Sequence, residues 1–130
     1  MLGVFLDIET NGLDPYVHIP LEIAFKIVDF KNGKLLEAYS SIIYSQEADW
    51  IGFDPNSLLI NGFQKEELNQ GKTRSEIQKE IKEIFALHDI RRGRSFFICQ
   101  NPSFDRPFFG KIIPPYEQEN LFWPYHWLDL

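Results

Sequence analysis

A single cysteine, Cys99, leaves this chain of 130 residues without a partner for an internal disulfide. That excludes the disulfide-framed class of small secreted domains and fits a reducing compartment. Cys99 lies in an apolar run, where it reads as a buried small hydrophobe rather than a reactive thiol. Long hydrophobic runs are missing as well. The amino terminus, Met1-Leu2-Gly3-Val4-Phe5-Leu6, meets Asp7 at once. It has no basic leader region and is too short for a signal peptide or a membrane span, so the expected location is cytoplasmic. Positive charge is scarce: thirteen Lys and Arg stand against nineteen Asp and Glu, a net charge of −6. The deficit counts against a general coater of nucleic acid, which relies on phosphate neutralisation. It counts less against a metal-dependent enzyme, where carboxylates serve as ligands and bound ions meet the phosphate. The sequence also lacks repeats, low-complexity tracts and any linker long enough to separate domains, so residues 1–130 read as one domain.

What is there is ordinary for a soluble globular protein, with 44% hydrophobic and 25% charged residues. Aromatics are dense, and the groups Phe96-Phe97, Phe104-Phe108-Phe109 and Phe122 to Trp127 read as core. Residues 2–8 form a continuous apolar run that reads as a buried strand. A second strand is expected over 21–30, with Ile23, Phe25 and Ile27 on one face. Asn32-Gly33 predicts a two-residue hairpin turn into a third strand near 34–45. After a polar middle with a short helix at 56–60, Thr73-Arg74-Ser75-Glu76 matches a capping box. The stripe Ile77, Ile81, Ile84, Phe85 and His88 continues it as a helix, and Arg91-Arg92-Gly93-Arg94 reads as its solvated end. A fourth strand is expected over 95–100. A helix follows from about Ser103, with Pro107 confined to its first turn and Pro114-Pro115 as its stop. Residues 121–130 read as the approach to a fifth strand. The apolar ending Trp127-Leu128-Asp129-Leu130 has no polar tail, and the expectation is a domain truncated at its carboxyl end.

Two acidic signals carry chemistry. Within Asp7-Ile8-Glu9, positions two apart share a strand face, so both carboxylates point the same way and repel unless a cation lies between them. Hard oxygen donors suit Mg²⁺ or Mn²⁺ rather than zinc. The bland alternative is a solvated acidic turn. The second signal is Asp105, expected in the first turn of its helix and able to face the carboxyl ends of neighbouring strands. Its bland alternative is an acid favoured by the helix dipole. Each signal alone is weak.

Together they resemble a known family. Phe5-Leu6-Asp7-Ile8-Glu9-Thr10-x-Gly12-Leu13-Asp14-Pro15 is similar to the first exonuclease motif of the DEDD superfamily, the DnaQ-like or ribonuclease T-like exonucleases. Asn101-x-x-Phe104-Asp105-x-x-Phe108 resembles the second, and Leu59-Ile60-Asn61-Gly62-Phe63 a short element between them. The resemblance implies an RNase H-like α/β fold with a central mixed sheet of five strands flanked by helices. Its first three strands would form an antiparallel meander, and the fourth and fifth would run parallel to the first. It implies a 3′→5′ exonuclease that cleaves phosphodiester bonds at the 3′ end of single-stranded DNA or RNA. Two divalent cations, Mg²⁺ or Mn²⁺, would be held by Asp7, Glu9 and Asp105. Thr10, Gly12 and Leu13 would approach the terminal nucleotide, Leu13 against a base, and Asn101 and Phe104 would be further substrate contacts. For Leu13 a core position is an equal alternative. Some members pair with a second copy or work beside a polymerase, and either partner is open here.

The sequence departs from the pattern in one important respect. Members carry a fourth acid in a later helix, with a His five residues before it or a Tyr four before it as general base. Neither follows Asp129 among these residues, and His126, upstream of Asp129, reads as a packing or hydrogen-bonding residue. The alternative reading is therefore a degenerate nuclease-like module that binds or scaffolds without cutting.

Overall fold

The amino-terminal apolar run forms strand β1, Leu2–Thr10, at the centre of a mixed five-stranded sheet ordered β3-β2-β1-β4-β5. The structure, a computed structural model, describes residues 1–46 and 65–130. The expected helix at 56–60 and the 59–63 element lie outside them. Strands β2 (Pro20–Asp29) and β3 (Lys34–Ile42) complete an antiparallel meander with β1. Strand β4 (Ser95–Cys99) pairs parallel with β1, and β5 (Trp127–Asp129) pairs parallel with β4. This is the topology expected from the sequence, with shorter third and fifth strands. The hairpin turn differs as well. Only Gly33 takes a positive φ (71°), its N–H closing on the Asp29 carbonyl, while the Asn32 side chain accepts from Lys34 N–H.

Helix α1 (Lys65–Leu68) is a single turn. Helix α2 (Arg74–Leu87) begins at the predicted cap: the Thr73 hydroxyl accepts from the Glu76 N–H at 3.2 Å. Ile77, Ile81 and Phe85 of α2 are buried against Val4, Leu6, Ile8, Ile23, Phe25, Ile27 and Phe97 on one face of the sheet. Helix α3 (Pro102–Ile112) joins the same layer through Phe108, Phe109 and Ile112. Burying each such side chain contributes about 1.5–3 kcal/mol, so this layer fixes where β1 and α3 meet. Three expectations are corrected here. Pro107 sits in the second turn of α3, not the first, and has no N–H to give Ser103. Pro115 does not merely stop a helix but opens another, α4 (Pro115–Asn120). The arginine cluster is solvated only in part: Arg91 and Arg94 are exposed and pair with Asp89, whereas Arg92 ties α4 down through Glu119 and the Trp123 carbonyl while lying 3.8 Å from the Tyr125 ring.

The other sheet face carries Phe5 and Asp7 of β1 and Lys26 of β2, beside a groove of about 450 Å³. At its far end Phe30 stacks on Phe96 and covers Gly3, where a β-carbon would come within 2.1 Å of the Phe30 ring.

Candidate active site

Strand β1 outruns its parallel neighbour. Its last partner in β4 pairs Phe5 with Ile98, and β1 continues alone on that side from Leu6 to Thr10. A strand edge left this way exposes backbone donors that must find other acceptors. Asp105 supplies one. It lies in α3, is only 4% exposed, and its Oδ1 accepts from the Ile8 N–H at 3.1 Å. The sequence places Asp105 there because β4 ends at Cys99, the chain turns at Asn101, and α3 starts with a proline at its first position. The Asn101 carbonyl accepts from both Phe104 and Asp105 N–H, closing the first turn.

Asp7 and Glu9 flank Ile8 and share one face, as their spacing requires. Their charges and that of Asp105 act on one another. Burial raises the Glu9 carboxyl above its usual range, and Asp7, Glu22 and Asp105 push it the same way, with a carboxyl hydrogen bond to Asp7. Burial also pushes Asp105 up to about 6, against the Ile8 N–H that favours its charged form and with the Asp7 charge that opposes it. The Cys99 thiol, buried beneath, is pushed up to about 12 by burial and then by Asp105 and Asp7, which leaves it an inert thiol. Glu22 is a fourth acid that sequence reasoning missed. It pairs across the strands with Glu9, and its carboxyl is raised by burial and then by Asp7. The hairpin register between β1 and β2 is the signal that could have found it.

Among the described residues, no basic side chain is among the charges acting on Glu9, Glu22 or Asp105. Carboxylates crowded without a counter-charge are the donor set that a hard divalent cation suits. The side chains are not, however, closed into a cage: among the described residues no three His, Cys, Asp or Glu are grouped so that they could hold an ion as they stand. The fit is therefore one of donor chemistry and charge.

The remaining predicted contacts divide. The Thr10 hydroxyl is turned into its own loop, donating to the Gly12 carbonyl and accepting from the Gly12 N–H. Gly12 is buried beneath His18, where an added β-carbon would meet the imidazole ring at 2.3 Å, so close packing demands the glycine. Leu13 is 74% exposed and is not a core residue. Asn101 is exposed, whereas Phe104 is partly buried against the core with its ring 5.0 Å from that of Phe108. His126 is exposed, and its carbonyl accepts from the Phe97 N–H.

No protein-family model matches the chain. In sequence it is similar to the oligoribonuclease of Photobacterium profundum, with 27% identity over 129 residues, or 98% of this chain and 70% of that protein. In structure it resembles exonuclease I of Methylocaldum szegediense, with a TM-score of 0.77, 20% identity and 98% of this chain covered. It also resembles E. coli exonuclease I, solved in complex with a dT13 oligonucleotide, with a TM-score of 0.73, 19% identity and 99% of this chain covered. The chain spans 27% and 28% of the length of those two exonucleases. Among the described residues no helix is long and apolar enough to cross a membrane. In fold and strand order the chain is thus like these exonucleases, with an RNase H-like mixed sheet, and in sequence it is similar to an oligoribonuclease.

Proposed function

We propose that this chain, as one exonuclease-like domain over residues 1–130, carries the acidic centre of a metal-dependent 3′→5′ exonuclease acting on single-stranded DNA or RNA. The observation that carries the reading is the meeting of Asp105 with the open edge of β1 at Ile8, between Asp7 and Glu9. In this reading Asp7, Glu9 and Asp105 hold two divalent cations, Mg²⁺ or Mn²⁺. When bound, such ions supply the Lewis acidity that lowers the pKa of an attacking water and offsets charge on a phosphodiester. The chain's own role is positional. β1 fixes Asp7 and Glu9, while the Ile8 N–H orients the Asp105 carboxylate and favours its ionised form. Leu13 and Asn101, both exposed, would meet the terminal nucleotide. One buried cysteine suits a reducing, cytoplasmic setting. With a net charge of −6, the domain would gain from a second copy or a polymerase-type partner that brings basic side chains to the strand.

A second reading, a nuclease-like module that binds without cutting, is favoured by one observation: among the described residues the acids are not closed into a group of three that could hold an ion as they stand. Incubation with a 3′-labelled single strand and Mn²⁺ separates the two. The exonuclease releases labelled mononucleotide, and Asp7→Ala abolishes the release. Binding of the strand with no release, or release that Asp7→Ala leaves unchanged, defeats the exonuclease reading.

A further inference from the structure

The loop between β1 and β2, residues 11–19, is laced to itself and to the helix layer. Its mouth is closed by Asn11 N–H to the Ile19 carbonyl at 3.2 Å, and by Ile19 N–H to the Asn11 side chain at 2.8 Å. Inside it, the Asp14 carbonyl accepts from Val17 and His18 N–H, the Asp14 carboxylate accepts from Tyr16 N–H, and the His18 ring accepts from Asp14 N–H. The Lys111 ammonium of α3 donates to the His18 carbonyl at 2.9 Å. So many fixed bonds hold the backbone in one shape.

Yet this tightly held loop turns apolar side chains outward. Tyr16 is 95% exposed, and Leu13 and Val17 are exposed beside it. An aromatic ring on a rigid loop tip loses little freedom when a flat partner stacks on it. The loop springs from Thr10, the residue after Glu9, so it is rooted in the strand that carries two of the acids, and Tyr16 is its most exposed apolar side chain. The charge pattern selects the partner. A chain this acidic has few phosphate contacts to offer, so a single strand must be held largely through its bases, whose faces stack on aromatics whatever their sequence. Two cationic side chains, Arg74 and Lys111, line a hollow of about 450 Å³ shared with Ile19 and Pro20 at the loop's root.

Resting on the exonuclease reading above, we propose that Tyr16 is a stacking platform for the base one step inward from the 3′ end. Leu13, nearer the acids along the loop, meets the terminal nucleotide. Tyr16 then favours chains of two or more nucleotides over a mononucleotide and leaves the chemistry at the acids untouched.

The test is fluorescence anisotropy of a 5′-labelled short oligothymidylate with Ca²⁺ present to hold the acids without turnover, with thymidine 5′-monophosphate as competitor. Tyr16→Ala is expected to weaken oligonucleotide binding about tenfold, to leave the monophosphate's affinity unchanged, and to be rescued by Tyr16→Phe. The indole of Tyr16→Trp is expected to be quenched by the oligonucleotide and not by the monophosphate. If wild type binds the oligonucleotide and Tyr16→Ala binds it equally well, the platform is wrong and the exonuclease reading stands. Equal weakening toward both ligands also overturns the platform. If wild type binds neither ligand, both proposals fall together.

Discussion

The Ile8 backbone N–H and the Asp105 carboxylate meet at 3.1 Å across 97 positions of sequence. This bond sits where β1 loses its partner β4, so it serves the fold and the acidic centre together. Substitutions at Asp105 can separate the two roles.

Asp105→Asn keeps an oxygen for Ile8 and removes the charge. It is expected to leave urea stability within about 1 kcal/mol of wild type while abolishing nucleotide release. Asp105→Ala strands a buried N–H and is expected to cost about 1–3 kcal/mol in the same urea titration. Equal stability of the two variants would show that the Ile8 bond has no structural weight.

The crowded acids set a pH dependence for the metal-free chain. A carboxyl whose folded pKa lies above its unfolded value holds its proton more tightly in the folded state. Its contribution is complete below the usual aspartate range and is lost as pH rises through about 6, the value to which Asp105 is pushed. Glu9 and Glu22 shift in the same direction. In EDTA, Tm is therefore expected to fall across that window, and Asp105→Asn to flatten the fall. Added Mg²⁺ should raise Tm above the window and do little below it, which differential scanning calorimetry at a series of pH values would show.

Gly12 lies under the His18 ring with no room for a methyl group. Gly12→Ala is expected to cost about 1–3 kcal/mol by overpacking. Gly12→Ala combined with His18→Ala should cost less than the sum of the single changes, because the second removes the ring that the first strikes. Additive losses would mean that the two residues do not press on each other.

The packing beneath the site makes its own prediction. Phe97 is fully buried and stacks at 4.1 Å on Trp127 while meeting Phe85 and Phe109. Phe97→Ala is expected to destabilise the fold by about 3–5 kcal/mol, read as a lower urea midpoint.

The features of this molecule legible in its sequence are those governed by local patterns. Alternation of Ile23, Phe25 and Ile27 gave the buried face of β2, the Thr73 to Glu76 box gave the start of α2, and the apolar runs gave β1 and β4. The pairing of Asp7 with Glu9 was legible for the same reason, since a strand's period is two. What escaped depends on contacts distant in sequence. Glu22 joins the acids only through the hairpin register, and Arg92 is claimed by Glu119 and Tyr125 rather than by solvent. Pro115 opens α4 because a proline ring serves at a helix start as well as beyond a helix end, a choice its immediate neighbours do not decide. Phe104 reads as a motif residue, yet the packing of α3 turns it partly into the core.

Calorimetric titration with Mn²⁺ asks most directly whether Asp7 and Asp105 serve one ion site. Wild type is expected to bind, and Asp7→Asn and Asp105→Asn each to lose about tenfold or more in affinity. Both variants binding Mn²⁺ as tightly as wild type, or wild type binding none, would contradict a shared metal centre at the open edge of β1.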